Sequence, residues 1–401
     1  MSAKKLHIAL LSYHDSNGGA GIAAGRLKVA LEKAGHQVDY IVRGKASSSN
    51  ATKFGNGLIS WIKFIAERLF FLRFEKDKSI RFLFNPGVFG SDISKHPLIQ
   101  QADIVHLHWV NFGFLSVSDI ASLTRLNKPI FWTLHDMWAF TGGCHHSGDC
   151  DHFQQSCGDC KFVKNPGAND LSHRLWSNKK TGFASENLHI ITCSDWLGNR
   201  AKQSSILGNH DIKVIPNAID TEFFSPGKSD LGLDPSKKYI LFVAMRVNAP
   251  AKGFHLLKEA LQFIDPETTE LLIVGGEMTE ELHLKSHSFG QVSDPSKMRD
   301  IYAAADVFVT PSLEENLPNT LMEAMACGTA CVGFQVGGIP EMIEHQKTGY
   351  VAKAFDPADL AKGINWCLSD EKAGVNSRER AVNLYDQKIV AQQHLNFYAK
   401  A

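Results

Sequence analysis

TPSLEENLPNTLMEAMACGTACVGFQVGG, Thr310 to Gly338, is the stretch on which the reading of the chain turns. An apolar run from Asp306 to Ser312 is strand-like, stops at Pro311 and gives way to a polar loop. Leu321, Met322 and Met325 then recur at helical spacing. Glu315 therefore falls in the loop at the carboxyl end of a strand, and Glu323, with seven residues between them, falls in the first turns of the next helix. Open α/β sheets bind ligands at such places, because the loops line a crevice and helix N-termini point free N–H groups at anions. Two readings fit the pair. An ionised carboxylate accepts the O–H donors of a polyhydroxyl ligand, or both residues are solvated acids favoured by the helix dipole.

Beyond that pair, Pro311-Ser312-x-x-Glu315 is followed by Glu323-Ala324-Met325-Ala326-x-Gly328, then Gly337-Gly338-x-Pro340-Glu341 and Thr348-Gly349. Upstream, Lys213 to Asp220 reads KVIPNAID, and Arg246 and Lys252-Gly253 follow the apolar run Tyr239 to Met245. Together these resemble the donor-binding signature of family 4 retaining glycosyltransferases. The resemblance implies an α/β fold of the GT-B type, two facing Rossmann-like domains with parallel sheets and an interdomain cleft. It implies that Arg246 and Lys252 hold the donor diphosphate, whose negative charge grows as the glycosidic bond breaks. It assigns Glu323 to the ribose hydroxyls and Glu315 and His135 to the transferred sugar. Asn316, Leu317, Pro318 and Asn319 complete the donor loop, and Gly18 and Gly19 lie on the phosphate side of the cleft. Two positions depart from the pattern: Met245 and Ala218 stand where the family usually has glycine.

The 401 residues exceed what one core usually supports, so two domains are expected. Residues 1–210 read as an N-terminal acceptor-side domain and 211–380 as a donor-binding domain, with the linker-like Ser225-Pro226-Gly227 near the boundary. Residues 381–401 read as a helix that crosses back to the first domain, as the GT-B architecture implies. Lys plus Arg and Asp plus Glu both number 42, so no global attraction for a polyanion follows and nucleic acid is excluded as the main ligand. MSAKKLHIALLSYHD, at the start, breaks its apolar run at Tyr13-His14-Asp15 and reads as a first strand rather than an export signal. With eight cysteines, this argues for reduced thiols or a metal in a cytoplasmic protein.

Asn17-Gly18-Gly19-Ala20-Gly21 leads from that strand into a helix from about Ile22 to Ala34, a layout that suits a phosphate. Leu58 to Phe74 scatters Lys63, Glu67, Arg68 and Arg73 among Trp, Phe, Ile and Leu. Such a segment either lies in a bilayer interface, on the inner face of the membrane, or packs within the N-terminal domain with its charges snorkelling outward. His135-Asp136 ends the strand candidate Pro129 to His135, where Asp136 either orients the imidazole or meets an acceptor hydroxyl. A cysteine-rich loop, 142–162, follows directly and carries Cys144, Cys150, Cys157 and Cys160. Four closely spaced thiols suit a structural zinc site, with His145, His146 and His152 as substitute ligands, while two disulfides or ordinary buried thiols fit the same spacing. A subgroup of the family resembles this insertion.

The whole is read as a retaining, metal-independent glycosyltransferase that needs no cofactor for catalysis. It takes sugar from a nucleotide-diphosphate donor to a glycan or lipid-linked acceptor, in polysaccharide biosynthesis. A phosphorylase or epimerase on the same architecture, and a silent carbohydrate-binding scaffold, are the rival readings.

Overall fold

A computed structural model describes residues 5–15, 18–44, 50–227, 231–276 and 281–401. The start of the chain through residue 4 and Asn17 of the glycine-rich turn lie outside the described residues. The chain divides into two compact units, Met1–Pro216 with Val390–Ala401, and Asn217–Ile389.

The first unit is built on a seven-stranded sheet: β1 (His7–Ser12), β2 (Gln37–Val42), β3 (Thr52–Lys53), β4 (Ile104–Leu107), β5 (Ile130–Leu134), β6 (Leu188–Thr192) and β7 (Ile212–Val214). Its order is β3-β2-β1-β4-β5-β6-β7 and every pairing is parallel. In the second unit β8 (Lys238–Ala244), β9 (Thr269–Gly275), β10 (Ser286–Ser288), β11 (Val307–Thr310), β12 (Ala330–Phe334) and β13 (Gly349–Ala352) form an all-parallel sheet of order β10-β9-β8-β11-β12-β13. Parallel strands covered on both faces read as continuous apolar runs, and β4, β5, β9, β11 and β12 are buried along their whole length. Leu11, Val105, Leu107 and Trp132 anchor the core of the first unit; Phe242, Ile273, Val309 and Val332 anchor that of the second.

Each strand order reverses once, between β1 and β4 and between β8 and β11. At such a switch point the loops leave the carboxyl ends of neighbouring strands in opposite directions and open a crevice between them. The reversal at β8 and β11 places the loops bearing Arg246 and Glu315 side by side, because those loops follow the two flanking strands.

Two local differences from the sequence reading have simple causes. The first long helix spans Gly18–Lys33, so Gly18 and Gly19 form its first turn rather than a loop before it. The C-terminal tail is two helices, Ala373–Tyr385 and Gln387–Tyr398. Asp386, at ψ 136°, interrupts them. There its carboxylate accepts the Thr221 hydroxyl, and its backbone bridges to Ile219. The last turns belong to the first unit, where the buried Tyr398 hydroxyl lies 2.6 Å from His106 Nδ1.

Candidate active site

In the second unit the chain leaves β8 through Met245 and Arg246, both exposed, and reaches the short turn Pro250–Lys252. It leaves β11 through Pro311 and Ser312 and reaches Glu315. The two loops are joined by their backbones, since Leu313 N–H donates to the Ala251 carbonyl at 2.9 Å. They are also joined by charge: Lys252 Nζ lies 2.7 Å from Glu315 Oε2. Gly253 sits at φ 67°, and a Cβ there would run into the Pro311 carbonyl oxygen, so only glycine lets the loops approach. Gly337, at φ 55°, plays the same part on the other side of Glu315, whose carbonyl oxygen faces the place a Cβ would take.

Asn316, Leu317, Pro318 and Asn319 are buried and lead into the helix Asn319–Ala326. Pro318, at the N-cap position, lends that helix no side-chain cap of its own. The first N–H groups of the helix carry the positive end of its dipole into the loop that holds Glu315. Glu323 is buried on the same helix and accepts the Tyr302 hydroxyl at 2.7 Å. Asn217 of the Ile-Pro-Asn motif donates its side-chain amide to Asn319 Oδ1 at 3.1 Å. The structure thus brings Lys252 and Glu315 together beyond the ends of β8 and β11, with Arg246 on the loop of Lys252, residues 316–319 following Glu315, and Glu323 buried on the next helix. Tyr302 and the partnership of Asn217 were not legible from spacing, because both contacts join segments distant in sequence.

The first unit carries its own cluster beyond β5. His135 Nε2 lies 2.9 Å from His108 Nδ1, with Cys193 Sγ 3.7 Å from its other ring nitrogen. Burial takes its pKa down to about 4 against the pull of Asp136, so the imidazole is neutral at physiological pH. Asp136 accepts the Trp109 indole at 2.9 Å, His145 Nδ1 at 2.7 Å and the Trp138 N–H at 2.8 Å. Burial pushes that carboxyl up, but the charge and hydrogen bond of His145 outweigh it, with Trp138 N–H and His146 helping, and hold it at about 2. Gly18 and Gly19 lie exposed in this unit after β1.

Cys144, Cys150, Cys157 and Cys160 line one small cavity, together with Thr141, Gly142 and His152 among others. His145 turns instead to Asp136 and stacks on Phe112.

Two all-parallel Rossmann-like units, each with its loops spread at a strand-order reversal, are the architecture of the GT-B class. The chain belongs to glycosyltransferase family 4: residues 17–223 match Glycosyltransferase Family 4 and residues 237–370 match Glycosyl transferases group 1. It is similar to alpha-maltose-1-phosphate synthase of Mycolicibacterium smegmatis, 30% identical over 222 residues, which are 47% of this chain and 57% of that protein. N-acetyl-alpha-D-glucosaminyl L-malate synthase of Bacillus anthracis is 22% identical over 98% of this chain and 97% of its own length. The chain therefore spans a little over half of the first relative and nearly all of the second. The fold matches that of Anabaena HepE in complex with UDP-glucose at a TM-score of 0.61 and 15% identity, covering 99% of this chain and all of that one.

Proposed function

We propose that the chain transfers a sugar, with retention at the anomeric carbon and without a catalytic metal, from a nucleoside-diphosphate sugar to a hydroxyl of a glycan or lipid-linked glycan. The observation that carries this reading is the Lys252–Glu315 ion pair beside the N-terminus of Asn319–Ala326, at the carboxyl ends of β8 and β11. A diphosphate leaving group gains negative charge as the bond to sugar breaks. Lys252 and Arg246 supply positive charge, and the start of the helix adds the positive end of its dipole, all placed where that charge develops.

Glu315, oriented by its ammonium partner and by the backbone packed against Gly337, accepts hydroxyls of the transferred sugar. Glu323, steadied by Tyr302, accepts those of the ribose. His135, neutral and held by His108, meets the transferred sugar as a hydrogen-bonding group rather than as a cation. The single Asp-x-Asp of the sequence, Asp149 to Asp151, is exposed in the cysteine-rich loop and is not among the residues that follow β8 and β11. That supports charge stabilisation by Lys252 and Arg246 in place of a divalent ion.

The helix Gly57–Leu72 supports a lipid-linked acceptor at a membrane surface. Glu67 and Phe71 are its buried residues, and Glu67 takes the N–H groups of Gly87, Val88 and Phe89. On the opposite face Leu58, Ile62, Leu69 and Leu72 stand exposed with Trp61, and Phe82 and Leu83 are exposed nearby in the chain. Arg73, Lys76 and Lys78 are exposed just beyond them. Apolar side chains beside cations suit an anionic headgroup layer. Among the described residues no helix is long and apolar enough to cross a membrane, so the contact proposed is with its surface.

The test is thermal shift against UDP-, GDP- and ADP-sugars, with UDP-glucose first, because a ligand bound by the folded state raises its melting point. A single base class that does so, followed by slow donor hydrolysis that EDTA does not slow, supports the reading. Absence of any shift and any hydrolysis refutes it.

A further inference from the structure

The segment between Thr141 and Asp170 has almost no regular structure. Its one helical element among the described residues is the single turn His152–Gln154, and Cys157 and Asp159 are held at φ 41° and 45°. So long an irregular run needs something other than a backbone ladder to fix it. All four cysteines of the segment open onto one cavity of about 20 Å³, room for one ion or one water. The remaining four cysteines of the chain lie elsewhere, buried.

Three features of the wall point to a cation held by thiolates. Gly142 N–H donates to Cys157 Sγ at 3.2 Å. Amide donors aimed at sulfur stabilise the ionised form, which is the ligating one. Lys179 is fully buried and donates to the carbonyls of Trp138 and Thr141, the second of which lines the cavity. Lys161, which lines the cavity, is tied to the Ser147 carbonyl at 2.8 Å. Four thiolates around a divalent ion carry a net charge of minus two, and two lysines beside them offset it.

We infer that Cys144, Cys150, Cys157 and Cys160 bind one structural zinc ion, with the buried Lys179 and the exposed Lys161 as its counter-charges. Among the described residues no three His, Cys, Asp or Glu side chains stand ready as a metal cage, so the sulfurs close on the ion by side-chain rotation about a cavity already of its size. Each thiol gives up its proton on binding. The ion staples the loop at the residue before His145, which holds Asp136 next to His135. The site thus stabilises the first unit without touching substrate.

Metal analysis of the full chain, purified from zinc-supplemented medium and dialysed, tests this. One zinc per chain is expected, released in step with titration of four thiols by a mercurial reagent. Cobalt substitution should give the intense visible bands of a tetrahedral tetrathiolate. Cys157→Ser should lose the metal and lower the melting point, and since that variant can fail to fold, the cobalt spectrum of the wild-type chain decides. Substoichiometric zinc with four free thiols overturns the assignment, as do two disulfides found among these cysteines by mass spectrometry.

Discussion

Lys252 Nζ and Glu315 Oε2, 2.7 Å apart, tie the loop after β8 to the loop after β11 at the place where the strand order of the second unit reverses. The Lys252 side chain is 41% exposed and that of Glu315 is 20% exposed, so the pair is open enough to exchange partners when a ligand arrives. An exposed pair of this kind contributes about 1 kcal/mol or less to stability. Its value lies in holding a cation and an acceptor in register.

Lys252→Ala should therefore leave the melting temperature nearly unchanged and lower kcat by about 10²–10³-fold, as loss of one preorganised group does elsewhere. Glu315→Gln should keep the fold and weaken recognition of the sugar more than that of the free nucleotide. Initial rates and titration with the nucleoside diphosphate separate the two. Normal turnover in Lys252→Ala would remove the diphosphate assignment.

Gly337→Ala places a Cβ against the Glu315 carbonyl at a backbone conformation that L-residues resist. We expect a loss of about 1–3 kcal/mol of stability together with weaker donor binding. Thermal melts with and without donor measure both, and an unchanged melting point with full donor affinity would show that the loop has room to spare.

Acid should unfold the first unit through its buried histidines. Burial holds His135 and His394 near a pKa of 4 and takes His106 and His108 well below the ordinary value. In the unfolded chain the same rings take up protons below about pH 6.5. Between there and pH 4 the unfolded state binds more protons, so stability rises with pH in that window and is lost as pH falls through it. Each of His135 and His394 contributes up to about 3 kcal/mol. Asp136, held at about 2, has the same sign, but its contribution fades only below the ordinary carboxylate range. Scanning calorimetry should show a melting point that is steady near neutrality and falls steeply below about pH 6.5; a flat profile to pH 4 would contradict it.

Ile62→Asp and Leu69→Asp change exposed side chains on Gly57–Leu72 and should alter stability by about 0.5 kcal/mol or less. Flotation with vesicles containing phosphatidylglycerol should recover the wild-type chain and not the double variant, while both hydrolyse donor equally. If neither chain floats, the apolar face has another purpose.

Much of this was legible in the sequence because parallel strands announce themselves. Apolar runs such as Tyr239 to Met245 and Pro129 to His135 bracket β8 and β5 within a residue or two, and the motifs that follow them lie at strand ends as a consequence. The short edge strand β3, Thr52–Lys53, has no apolar signature to betray it. Tyr302 beneath Glu323 and Asn217 beside Asn319 depend on side chains meeting across 21 and 102 residues, which no local period encodes. The apolar helix Gly57–Leu72 left two readings open, since periodicity tells that a face is apolar and not what covers it. Its exposed leucines and isoleucines became visible only once the buried face was known to be Glu67 and Phe71.

The most direct test of the central claim is an NMR time course of wild-type chain with a nucleotide sugar selected by thermal shift. The account predicts slow consumption of the donor, release of nucleoside diphosphate, and a sugar that appears first with the anomeric configuration it had in the donor; Lys252→Ala should show none of this on the same timescale. First appearance of the inverted anomer, or equal consumption by wild type and Lys252→Ala, would contradict it.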